Sequence, residues 1–331
     1  MPTTLFAVLL LLPGAMGAQS AERVSIDGYA EFRQGNLVIV DGQRVGATSS
    51  TRFRGGQISR LSDIPLGYEV EVDGTRQRDG LIVATRVTAR PNGTAFLESD
   101  VKAATDEIEA MWLEAGAMFE PTERGGRKVI GKTIGEGPEY ARVRGMVDRL
   151  LPPYVQPNQV RVHLVDTEDW NAAAMGNGAI WVYTGLVREM SDDELAIVVG
   201  HEIGHFTHEH SRLQARRGLW TQLFGLGAII AAESIDNDAA RISTQLGTML
   251  GVTAFSNGYS RELEDQADRV GLRYAHEGGY DVHQGPVLWA KFRDKYGESG
   301  RFATFFFGSH SRPTDRIRNI EQELGVNYRK R

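Results

Sequence analysis

Ser191-Asp192-Asp193-Glu194-Leu195-Ala196-Ile197-Val198-Val199-Gly200-His201-Glu202-Ile203-Gly204-His205 decides how this chain is read. It opens as a helix start. The Ser191 hydroxyl can accept from the amide three residues on, and Glu194 can reach back to the Ser191 amide. Asp192 and Asp193 add negative charge at the positive end of the helix dipole. Residues 195–200 are apolar on nearly every side, which marks a buried helix whose polar groups need partners. His201 and His205 stand four apart, one turn plus about 40°, so both rings leave the same face and can grip one metal. Glu202, about 100° further round, lies close without having to be a ligand. Two imidazoles with a carboxylate between them are zinc chemistry: the metal acidifies a water and the glutamate takes its proton. The plainer alternative is a pair of core histidines satisfied by backbone groups.

Catalytic zinc usually keeps three protein ligands. A source for the third lies downstream in Ser260-Arg261-Glu262-Leu263-Glu264-Asp265-Gln266-Ala267-Asp268. Glu264 and Asp268 share a helical face, so one can bind metal while the other supports a ligand histidine. Spacing alone does not choose between Glu262 and Glu264, and charged residues on a helix also mark an ordinary solvated face.

The two segments together resemble the gluzincin metallopeptidases that include the CAAX prenyl proteases and the HtpX-type proteases, and more closely their soluble periplasmic relatives. The second motif of that family, Arg-x-x-Glu-x-x-Ala-Asp, is met at Arg261, Glu264, Ala267 and Asp268. The resemblance implies Glu264 as the third zinc ligand and Asp268 as the partner of a ligand histidine. Two more stretches extend it, over roughly residues 98–317. Asn171 to Val182 is similar to the family's Asn-Ala segment, where an edge strand near the zinc receives substrate as an added strand. Physically, Asn177-Gly178 is a hairpin turn followed by a short strand over 179–183, a pattern that ordinary scaffold shares. Ser309-His310-Ser311-Arg312-Pro313-Thr314-Asp315-Arg316-Ile317 resembles the Ser/Thr-His-Pro segment that ends in Arg-Ile. There Ser311 departs from the family's proline. The resemblance places His310 at the zinc, as oxyanion support or resting-state ligand; Arg316 is read as bracing the C-terminal helix in preference to binding substrate. His208 lies near the zinc face, His210 is read as pointing elsewhere, and His163, His276 and His283 lack ligand spacing.

The 331 residues carry a net charge of −6, and no basic stripe suggests a nucleic-acid partner. There is no cysteine, hence neither a lipobox anchor nor a disulfide framework. Residues 5–18 pair a short apolar run with small residues, the pattern of a signal peptide over 1–18, though no Lys or Arg precedes the run. That run, like the apolar stretch 219–232, is too short for a transmembrane anchor; the latter suits a buried or membrane-surface helix, or a lid over the cleft. Over residues 23–92, runs at 36–42, 68–74 and 81–89 read as strands, and short strands with Asp-Gly turns suggest a small OB-like barrel, a docking module or a stabilising appendage. Helical patterns begin near Glu98 and again over 142–151, before Pro152-Pro153.

The expectation is an α+β protein. A signal peptide and a small all-β, OB-like domain precede a mainly helical zincin-type metallopeptidase domain with a small β-sheet over 98–331. Its function is that of a periplasmic or secreted endopeptidase with one Zn2+, held by His201, His205 and Glu264, in which Glu202 is the base. Its partners are protein or peptide substrates, among them misfolded envelope proteins. The rival readings are a latent or chaperone-like zinc-fold scaffold and a zinc hydrolase of non-peptide substrates.

Overall fold

Alternating apolar side chains build a barrel at the N-terminal end. The computed structural model describes residues 22–65, 67–91, 100–121, 127–153, 155–211, 259–298 and 312–328. Five strands close on themselves: β1 (Glu22–Gln34), β2 (Leu37–Val40), β3 (Gln43–Arg54), β4 (Glu69–Arg76) and β5 (Ile82–Arg90). Their order is β1-β2-β3-β5-β4 with β4 returning to β1; β3 runs parallel to β5 and the other neighbours antiparallel. Val38, Val45, Val70, Val72, Ile82 and Val87 fill the interior and are fully buried. The expected closed barrel is present, with β1 and β3 added to the three strands legible in the sequence.

The two Asp-Gly pairs differ. Asp41-Gly42 turns β2 into β3 with both residues at positive φ, 47° and 70°, as a tight hairpin requires. Asp73-Gly74 lies inside β4 at a register shift, where a Cβ on Gly74 would sit 2.6 Å from the Val83 carbonyl oxygen. That glycine serves close strand approach rather than a turn.

The rest of the described chain is a six-stranded sheet covered by helices, a larger sheet than expected. The sheet contains β6 (Leu113–Glu114), β7 (Ala117–Pro121), β8 (Arg127–Ile134), β9 (Arg161–Val165), β10 (Ala172–Ala174) and β11 (Ala179–Tyr183), in the order β10-β11-β9-β8-β7-β6. β11 is parallel to β9, buried along its whole length, and joined to the edge strand β10 by the Asn177-Gly178 turn. The helices are α1 (Asp100–Trp112), α2 (Pro138–Leu150), α3 (Thr184–Glu189), α4 (Asp192–Thr207), α5 (Arg261–Glu277), α6 (Gly285–Tyr296) and α7 (Pro313–Asn327).

The cap of α4 forms as its residues dictate. Glu194 N–H donates to Ser191 Oγ at 3.3 Å, and Ser191 N–H donates to Glu194 Oε2 at 3.0 Å. α4 then packs on α5 so closely that a Cβ on Gly271 would lie 2.5 Å from the His201 amide nitrogen, and one on Gly200 would lie 2.7 Å from the Gly271 oxygen. Two facing glycines let the backbones touch, and this brings the second motif against the first.

The expected leader over 1–18, the apolar stretch 219–232 and His310 lie outside the described residues. Among the described residues, no helix is long and apolar enough to cross a membrane.

Candidate metal centre

α4 presents His201 and His205 towards α5, and α5 presents Glu264 towards both. The Nε2 atoms of the two histidines are 2.9 Å apart. Glu264 Oε2 lies 3.5 Å from His201 Nε2, and its Oε1 lies 3.5 Å from His205 Nε2. All three donor atoms fall within 4.8 Å of one another, and the side chains are 3%, 0% and 1% exposed. Ligands on a tetrahedral zinc at 2.0–2.1 Å are about 3.3 Å apart, so the set fits such an ion. Two imidazole nitrogens converging with a carboxylate in a water-poor core are also a donor set that suits a cation chemically. Glu262, the alternative that spacing left open, is exposed on α5 and points away.

Glu202 is buried but separate from this set. Its Oε2 accepts from the Ala174 N–H of β10 at 3.0 Å, which ties the carboxylate to the edge of the sheet. Beside it a cavity of about 20 Å³ opens between Trp170, Leu186, Trp289 and Phe292, room for one water.

Each histidine has its own support on the side away from Nε2. Asp268 Oδ1 lies 2.9 Å from His201 Nδ1. Arg316, fully buried on α7, holds that aspartate through Nε to Oδ2 at 3.0 Å and through Nη2 to Oδ1, while its guanidinium lies 3.4 Å over the Trp289 ring. Burial alone would raise the Asp268 carboxyl; the Arg316 charge and the His201 contact outweigh it and hold it down at about 2. Burial, then the Arg316 charge, lowers the His201 imidazole and keeps it neutral, the form that binds metal. Arg316 thus braces Asp268, a more specific duty than bracing its own helix.

His205 stacks on Tyr259, with ring centroids 4.1 Å apart, and its Nδ1 lies 2.8 Å from Nδ1 of His210. This corrects the expectation that His210 points elsewhere. Helical periodicity does not extend that far: α4 ends at Thr207, His208 is its C-cap, and Glu209 takes a left-handed φ of 53°. The turn swings His210 back under the ligand face, and burial pushes its imidazole down to about 4. His208 is fully buried against the Tyr29 ring of the barrel, 4.7 Å between centroids. His163 binds Glu109, His276 meets the Tyr328 ring edge to face, and His283 pairs with Asp281 near the surface, so none of the three approaches the centre. His210 and Gln266, which contacts it, were not legible as site residues; the sequence signal that existed was a further histidine five places beyond His205.

Comparisons with known proteins agree with this geometry. A family model described as peptidase family M48 matches residues 139–324, more than half of the chain. A second, described as a domain of unknown function (DUF5666), matches residues 25–88, the barrel. Metalloendopeptidase OMA1, mitochondrial, of Bos taurus is 30% identical over 158 residues, covering 45% of this chain and 30% of that protein. Metalloprotease YcaL of Escherichia coli (strain K12) is 29% identical over 199 residues, covering 60% of this chain and 74% of YcaL. The β-barrel assembly-enhancing protease of the same strain is 27% identical over 253 residues, covering 68% of this chain and 48% of that protein. The chain therefore spans about a third of the first of these relatives and about half of the last.

Proposed function

Because the chain belongs to peptidase family M48, we propose that it is a zinc-dependent endopeptidase of the gluzincin type. The observation that carries this reading is the convergence of His201, His205 and Glu264 beside a second carboxylate, Glu202, that is not needed as a ligand. When bound there, zinc supplies Lewis acidity, drawing the pKa of a water towards neutrality and polarising a peptide carbonyl. Glu202 takes the proton of the attacking water and returns it to the leaving amine. Its bond to the Ala174 amide aims the carboxylate along the edge of the sheet, where an extended peptide can pair with β10. Asp268 orients His201, and Arg316 keeps Asp268 ionised within the core.

Substrates in this reading are proteins of the bacterial cell envelope, misfolded ones included, and the protein acts in the periplasm or outside the cell. The name of the β-barrel assembly-enhancing relative, together with the leader-like residues 5–18, supports that placement. The test is casein cleavage by the zinc-loaded protein beside Glu202→Gln. Cleavage should vanish in the variant while zinc content stays the same. If neither protein cuts casein although both hold zinc, the latent or chaperone-like scaffold reading takes its place. Unchanged cleavage by the variant removes Glu202 from the chemistry.

A further inference from the structure

The contacts behind His205 continue past His210 into the barrel. His210 Nε2 lies 3.0 Å from Gln266 Oε1 on α5, and Gln266 Nε2 donates to Glu31 Oε1 on β1 at 3.0 Å. Glu31 is 1% exposed and separated from Gln266 by 235 positions in sequence. Its carboxylate also accepts from Arg269 Nε at 3.1 Å, from Arg269 Nη2 at 3.2 Å and from the Gly42 amide at 3.0 Å.

These bonds have a polarity. A carboxylate surrounded by four N–H donors is an acceptor only, so it turns the amide nitrogen of Gln266 towards itself and the amide oxygen towards His210. An oxygen facing His210 Nε2 requires a proton on that nitrogen and leaves His210 Nδ1 as an acceptor. His210 Nδ1 then takes the hydrogen bond from His205 Nδ1–H, and His205 is left with its lone pair on Nε2, facing Glu264 and His201. Were Gln266 turned round, every link would reverse and the His205 proton would sit on Nε2, in the place of a metal. The carboxylate–imidazole pairing that His201 has directly with Asp268 is thus achieved for His205 at three steps' remove, from a different module.

We propose that Glu31 of the barrel is a positioning residue for His205, acting through Gln266 and His210 to fix the imidazole tautomer that can bind metal. This rests on the reading of His201, His205 and Glu264 as the metal ligands. It gives the barrel a part in assembling the centre.

The test is zinc affinity of the full chain, measured by competition with a chromophoric chelator, together with the visible spectrum of the cobalt(II)-substituted protein. Glu31→Gln replaces the acceptor-only group with one that can accept either orientation of Gln266. It should lower zinc affinity about 10–100-fold and shift the cobalt bands. Asp41→Asn, which alters another barrel partner of Arg269 outside the relay, should leave both unchanged. Combining Glu31→Gln with Gln266→Glu places an acceptor-only carboxylate directly against His210 and should restore affinity and spectrum. Wild-type affinity and spectrum in Glu31→Gln overturn the proposal, as does a double variant no better than the single one. Should Glu31→Gln fail to fold, Gln266→Met breaks the relay while keeping the Glu31–Arg269 pair, and unchanged affinity there overturns it equally. Zinc uptake that survives Glu264→Gln and His201→Ala instead sinks the ligand assignment beneath it.

Discussion

At the residue scale the centre depends on a charge held where water cannot solvate it. Asp268 is 5% exposed and Arg316 fully buried, so burying either charge without the other is costly. Replacing Asp268 by asparagine keeps the volume but removes the counter-charge of Arg316 and the strong acceptor for His201 Nδ1–H. The expected outcome is a zinc affinity about 10–100-fold weaker, read by chelator competition on protein whose near-ultraviolet circular dichroism remains native. An affinity equal to wild type would mean that His201 is oriented without Asp268, by its packing against His205 and Trp289 and by the Arg316 Nη2 that lies 2.8 Å from its Nδ1. Residue 202 behaves differently: Glu202→Gln preserves the bond from Ala174 through its amide oxygen, which is why its effect should fall on turnover and not on metal content.

At the element scale the joint of α4 with α5 decides whether ligands from two motifs can meet. Gly271→Ala puts a methyl 2.5 Å from the His201 amide nitrogen, against backbone that cannot swing aside. The helices must part, and Glu264 moves with α5. Unfolding free energy in urea should fall by about 1–3 kcal/mol, and zinc affinity should fall with it; a folded variant that retains full affinity would show that the helices can separate without moving Glu264. The contact between α1 and the sheet responds to acid. Glu109 is hydrogen-bonded to His163, Arg161 and Asn177. Burial would raise its carboxyl, but His163 and Arg161 outweigh burial and bring it from the ordinary 4.5 to about 2. A folded-state value below the unfolded one stabilises fully above pH 4.5 and is lost as pH falls towards about 2. Wild type should therefore exceed Glu109→Gln in urea midpoint by a constant margin near neutrality, and the margin should close over that acid window. A margin independent of pH would assign the effect to packing.

Legibility followed locality. The α4 cap, the two α4 histidines and Glu202 are set by spacings of three to four residues, and all were readable in the chain. Glu264 could be chosen over Glu262 only through the family resemblance, because both sit in one charged stretch. The Asp73-Gly74 turn failed because the same dipeptide also serves a bulged strand. His210 was missed because a single left-handed residue, Glu209, ends the helical period on which its direction was judged.

At the scale of the whole molecule, β1 is the element that joins the barrel to the peptidase helices. Arg269 and Arg273 of α5 reach across, the first to Glu31 and Asp41, the second through Nη1 to the Ala30 carbonyl at 3.0 Å. Tyr29 donates to Glu209 in the turn that follows α4. No local pattern could announce these contacts, since each joins positions more than 175 residues apart. Buried charges at the junction couple the two cores, because losing one module leaves the Glu31 or Arg269 charge of the other without its partner. The five tryptophans all lie beyond residue 91, so tryptophan fluorescence reports the peptidase portion alone, whereas far-ultraviolet circular dichroism sees both cores. In wild type the two signals should lose structure at one common temperature. Arg269→Ala strips Glu31 of its counter-charge at a cost on the order of 3 kcal/mol, and the signals should then separate, the barrel melting first. Coincident melting in the variant, at the wild-type midpoint, would mean that Arg273 and the packing of Tyr29 on His208 hold the barrel without the ion pair.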